Sequence, residues 1–100
     1  MANTETLAKV KQALRISHDK LDGDILDNVS ACLEDLKVHG ILEPKESDPL
    51  ILNAIKLYVR AQYTDDTGKA AEHIARYERL RSSLQAAEGY GWKAEAGANE

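Results

Sequence analysis

Hydrophobic positions are densest over residues 50–63, Leu-Ile-Leu-Asn-Ala-Ile-Lys-Leu-Tyr-Val-Arg-Ala-Gln-Tyr. At about 100° per residue the polar side chains Asn53, Lys56 and Arg60 share one narrow strip, and Gln62 is the only other interruption. Leu50, Ala54, Leu57 and Ala61 make one apolar face, widened by Ile51 and Tyr58. Leu52, Val59 and Tyr63 make a second, nearly opposite. A surface helix carries an apolar stripe of roughly 100°, so this segment must be surrounded. Its neighbours are either the rest of a small domain or other copies of the chain.

Three further segments show helical spacing. Leu7, Val10 and Leu14 recur in a first helix from about Thr4 to Leu14, with Thr4 or Asn3 as its cap. Ile25, Val29, Cys32, Leu33 and Leu36 mark a second, expected to start at Asp22 as capping residue and to stop at Gly40 in a left-handed conformation. Residues 41–47, with Pro44 and several charges, read as a loop. Asp48-Pro49 then opens the central helix, because Asp caps and Pro at the first helical position lacks only an amide that would be unpaired. Asp65-Asp66-Thr67-Gly68 ends it and starts a fourth helix from about Lys69 to Ala87. Ile74, Tyr77, Leu80, Arg81 and Leu84 outline its buried side, and Lys69, Glu72, Arg76 and Arg79 its charged outer side. From Glu88 the Gly-, Ala- and Glu-rich composition cannot build a core face. No segment alternates with period two, and no internal repeat is evident. The expected fold is all-α: a small four-helix domain over residues 1–87, with a flexible C-terminal tail over 88–100.

Composition narrows the class. One domain is expected from 100 residues. With no Phe and 5% aromatics, the core must be aliphatic. Charged residues at 30% and the lack of an apolar run near 20 residues argue against a membrane protein. The N-terminus, Met-Ala-Asn-Thr-Glu-Thr, shows no secretory pattern, and the single Cys32 excludes an internal disulfide framework. Synthesis in the cytoplasm is the default. A net charge of −4 argues against tight nonspecific binding of nucleic acid, which needs clustered Lys and Arg.

No catalytic constellation is visible. His18, His39 and His73 lie in separate segments without metal-ligand spacing. Cys32 sits on an apolar helix face, where a buried thiol is a packing residue. Asp19, Asp22, Asp24 and Asp27 lack the ordered arrangement of a calcium loop, and Asp22 and Asp24 suit a helix start. Arg76, Arg79 and Arg81 interleave with Glu72 and Glu78, as on a solvated, salt-bridged face. Metal, cofactor and catalytic residues are therefore all expected to be none. Tyr90 and Trp92 stand out in the tail, because aromatics dominate interface hot spots. They are either docking anchors or side chains that pack loosely back on the domain.

Leu7-x-x-Val10-Lys11-x-x-Leu14-Arg15-Ile16, then Asp19 and Asp22, then Ile25, Val29 and Ala31, resembles the start of the head–tail connector proteins of tailed bacteriophages. Ala54-Ile55-x-Leu57-Tyr58-Val59 ending in Tyr63 is similar to that family's central helix, and Leu80 and Leu84 suit its last. The resemblance covers roughly residues 5–87. It implies a non-enzymatic virion protein, made in the bacterial host cytoplasm and placed at the head–tail junction. There it would form a ring of about a dozen copies beneath the portal, a closed heterologous assembly. The implied partners are other copies of the chain, the portal protein and a downstream connector or tail-completion protein. DNA would pass through the channel without specific binding, and an acidic subunit is compatible with that passage. The alternative is a small intracellular helical adaptor, dimeric, binding a partner through the third helix. A helical DNA-binding regulator ranks lower, for want of a recognition helix with clustered basic and amide side chains.

Leu50, Ala54, Leu57, Tyr58 and Ala61 are assigned to the subunit's own core. Leu52, Val59 and Tyr63 have two candidate fates. Burial by the other helices of the same subunit is favoured, because a central helix in a small bundle is apolar all round. Contact between subunits is the other, which makes these three the candidate oligomer interface and Tyr90 and Trp92 the candidate partner-docking residues.

Overall fold

A computed structural model describes residues 4–87. Four α-helices run in the order α1 (Thr4–Leu14), α2 (Asp22–Val38), α3 (Pro49–Tyr63) and α4 (Thr67–Ala86). No strand occurs among the described residues. Helix α3 packs against each of the other three, whereas α2 and α4 hardly approach through their backbones. This explains the excess of apolar positions in α3: it is the axis of the domain.

The helix ends follow from local chemistry. Asp48 caps α3 by accepting from the Leu50 amide at 2.8 Å, with Pro49 just inside. Asp66 caps α4 through the Lys69 amide at 3.0 Å, so α4 begins at Thr67, two residues before the expected start. Helix α2 differs from expectation. Its capping position is Leu21, which makes no side-chain cap bond. The Asp22 carboxylate turns instead to Lys11 at 2.8 Å and ties the start of α2 to the last turn of α1.

Helices α1 and α2 stop in the same way. Gly40 adopts φ 93°, its amide reaches the Lys37 carbonyl at 3.0 Å, and the Ile41 amide reaches Leu36 at 2.9 Å. Arg15 adopts φ 60°, its amide reaches Gln12 at 3.1 Å, and the Ile16 amide reaches Lys11 at 3.0 Å. Each is a left-handed stop with paired backward bonds, followed by an isoleucine that returns to the core. Ile41 is fully buried and Ile16 packs against the core, so the loop after α2 contributes a core residue that composition alone would leave outside.

The core is aliphatic: Val10, Ile25, Val29, Cys32, Leu36, Ile41, Ile51, Ala54, Ile55 and Val59, closed by Tyr77 and Leu84. On α3 the buried ridge is Ile51, Ala54, Ile55 and Val59, with Leu57 and Tyr58 packed partly against it. This corrects the assignment of Leu50, which lies in the first turn of α3 and is 46% exposed. On α4 the buried line is His73, Tyr77 and Leu84, with Ile74 only half-buried. Tyr77 and Leu84 are buried as expected and Leu80 packs against the core, so the face differs only in that His73 is buried in place of Ile74.

Candidate assembly surfaces

The three candidate interface residues separate in the structure. Val59 has no exposed surface and belongs to the subunit core. It can meet another subunit only if the fold opens. Leu52 is half-buried. Tyr63 is half-buried at the end of α3, where its hydroxyl donates to the Asp24 carboxylate and accepts from Asn28 Nδ2 at 3.2 Å. Burial, then the neighbouring Asp24 carboxylate, pushes the Tyr63 hydroxyl up to about 12. Tyr63 thus ties α3 to the start of α2. Tyr90, Trp92 and the tail as a whole lie outside the described residues.

The largest exposed apolar side chains gather at the opposite end. Val38 is 79% exposed, Leu42 37% and Leu50 46%. They belong to the last turn of α2, the loop after it and the first turn of α3, so chain connectivity places them at one end of the domain. Sequence periodicity assigned Leu50 to the core and did not single out Val38 or Leu42. The signal was available, since Val38 breaks the spacing of the buried α2 positions.

A polar latch joins α2 to α4. Asp35 accepts from the Tyr77 hydroxyl at 2.6 Å and from Arg81 at 2.9 Å. The Arg81 guanidinium also lies 5.6 Å from the Tyr77 ring centroid, and Tyr58 of α3 meets the same ring edge-on at 5.2 Å. His39 Nδ1 donates to the Asp35 carbonyl at 2.8 Å, and Gln85 donates to the His39 carbonyl at 2.5 Å. Burial pushes the Asp35 carboxyl up, but the Tyr77 hydroxyl and the Arg81 guanidinium outweigh it and hold the group below its ordinary value. Arg81, expected on the buried side of α4, is therefore half-buried and paired, and α2 and α4 are joined where their backbones hardly meet.

Cys32 lies beside this latch, its thiol 3.8 Å from the Tyr77 hydroxyl. Burial pushes it up to about 12, so it packs as a neutral thiol. An open cleft of about 470 Å³ lies between the ends of α1 and α3 and the start of α4, lined in part by Arg15, Arg60, Tyr63, Lys69 and His73. Asp24 stands against Tyr63 at its edge. Among the described residues, no group of three or more His, Cys, Asp and Glu side chains could hold a metal ion, and no helix is long and apolar enough to cross a membrane.

Together these features define a small all-α domain organised around one central helix, with an exposed apolar end and a latched fourth helix. The chain belongs to the phage connector protein family, whose sequence model matches residues 6–91. It is a phage connector of the head–tail class, and the family implies a virion component that meets other phage structural proteins. No curated protein and no solved structure matches the chain.

Proposed function

We propose that the protein is a head-completion subunit. Copies of it form a ring beneath the portal, lengthen the channel through which DNA passes, and present a surface to the next connector or tail-completion component. It acts as a structural part, with no reaction of its own. The observation that carries this reading is the family match, which spans nearly the whole helical domain. Two features of the chain agree with it. The net charge of −4 suits a channel component that does not hold the duplex, since a strongly basic lumen would retain phosphate. The apolar end at Val38, Leu42 and Leu50 and the half-buried Leu52 leave surface for neighbours in a closed heterologous ring.

Tyr90 and Trp92 are proposed to provide docking contacts to the portal. Truncation after Ala87 is then expected to abolish portal binding, and unchanged binding would remove the tail from that role. The ring itself is tested by light scattering coupled to size exclusion, followed by negative-stain imaging, on protein alone and mixed with portal. Rings are expected at high concentration or on the portal. A dimer that persists at all concentrations and ignores the portal would favour a dimeric adaptor instead.

A further inference from the structure

The cleft between the ends of α1 and α3 and the start of α4 collects positive charge on a chain whose net charge is −4. Arg15 stands just after α1, Arg60 in the last turn of α3 and Lys69 in the first turn of α4, and all three side chains are exposed. None of them forms an ion pair among the described residues. Two carboxylates close by are already engaged: Asp24 receives the Tyr63 hydroxyl and Asp66 the Lys69 amide. His73, one turn on from Lys69, lines the same cleft. It is 9% exposed, and its Nδ1 has no hydrogen-bond partner among the described residues. Buried polar atoms in folded proteins are paired almost without exception, so an unpaired one beside this cleft points to a group from outside the domain. A cleft lined by one sign of charge draws the opposite charge to it. Half-buried Leu14 and Ile16 form part of the wall, so the ligand has to offer apolar groups as well as negative ones. The volume of about 470 Å³ suits a few side chains.

We propose that this cleft docks an acidic segment of a partner protein other than this chain, with carboxylates set on Arg15, Arg60 and Lys69 and an apolar side chain against Leu14 and Ile16. A duplex fits less well. Its phosphates line a convex rod that does not enter a recess walled by aliphatic side chains, and the chain is acidic overall. A second copy also fits less well, because away from the cleft the acids of this chain have cations beside them. Glu5 pairs with Lys9, Glu34 with Lys37 and Glu72 with Arg76, and Lys45 follows Glu43 two residues on. The proposal goes beyond the head-completion reading and concerns one subunit, so it stands whether or not the ring forms.

His73 reports on the cleft through proton–nitrogen NMR correlation spectra of the imidazole side chains, recorded on the full chain. The probe is a capped hexapeptide of alternating glutamate and leucine, compared with its glutamine–leucine counterpart, inorganic phosphate and a short DNA duplex. The acidic peptide is expected to shift the His73 resonances saturably, to leave His39 at the far end of α2 in place, and to bind more weakly as salt rises. Arg60→Gln combined with Lys69→Gln alters two exposed positions, so the variant is expected to keep its helical circular dichroism and to bind the peptide several-fold more weakly. No saturable shift with the acidic peptide, or an equal one with the glutamine–leucine peptide, would overturn the proposal. Unchanged affinity in the double variant would overturn the assigned residues. Equal or tighter binding of phosphate or of the duplex at His73 would overturn the protein partner in favour of a simple anion or nucleic acid. A His73 shift that follows protein concentration without any probe would transfer the cleft to a second copy and overturn the reading of a different partner.

Discussion

Asp35 shows how a single side chain secures an element that packing alone would leave loosely attached. It holds Tyr77 and Arg81, and through them the C-terminal half of α4 against α2. Asp35→Ala strands a buried hydroxyl and a half-buried guanidinium, and is expected to cost about 2–3 kcal/mol in denaturant unfolding at neutral pH. Because the folded-state carboxyl is held below its ordinary value, its contribution is fully present above the unfolded pKa of about 4. It is lost as pH falls through the folded value, so the gap between wild type and variant narrows in acid. Arg15 makes the opposite case. A left-handed backbone costs an L-residue about 1–2 kcal/mol, and glycine gives back roughly 0.5–1 through its freedom in the unfolded chain. Arg15→Gly is therefore expected to raise stability by about 0.5–1 kcal/mol in thermal or chemical denaturation. A loss would show that the Arg15 side chain contributes more than its backbone costs. At this scale the sequence was partly legible. Cys32 reads correctly as a packing residue from its place on an apolar face. The Asp35 latch joins residues 46 apart in sequence, and no local pattern predicts such a pairing.

Among the helices, α3 was the most legible, because Asp48-Pro49 fixes its start and an all-round apolar pattern fixes its central place. Its faces were less so. A regular 100° wheel separates Val59 from the Leu50 face, yet burial follows Ile51, Ile55 and Val59 at four-residue spacing, and Leu50 falls at an end that no helix covers. The start of α2 at Asp22 was legible but the role of its carboxylate was not, because a carboxylate at a helix start can cap or can pair, and only the fold brings Lys11 within 2.8 Å of Asp22. These faces allow a direct comparison. Val59→Asp places a charge in a closed core and is expected to remove most of the roughly 5–15 kcal/mol that holds a domain of this kind. Circular dichroism should then show an unfolded chain. Leu52→Asp, at a half-buried position, is expected to stay helical, so any loss of assembly in that variant reports on the surface of α3. A folded Val59→Asp protein would contradict the assignment of Val59 to the subunit core.

For the molecule as a whole, three helices gathered around α3 give a connector subunit whose two ends differ. One end carries the basic-lined cleft with Asp24 at its edge, and the other carries exposed Val38, Leu42 and Leu50. A ring of identical subunits joined head to tail needs two dissimilar contact surfaces on each copy, and a domain with such ends has them to offer. All-α class and connector family were legible from periodicity and from the Leu14-Arg15-Ile16 element, which the structure explains as the left-handed stop of α1. The assembly surfaces were not, because periodicity finds what a chain buries within itself and is silent on what it buries against others. The most direct measurement is electron cryomicroscopy of the head–tail junction in intact virions. The account predicts a closed ring of this four-helix subunit directly beneath the portal, with DNA running through its centre. A junction without the subunit, or the subunit bound elsewhere in the particle, would contradict it.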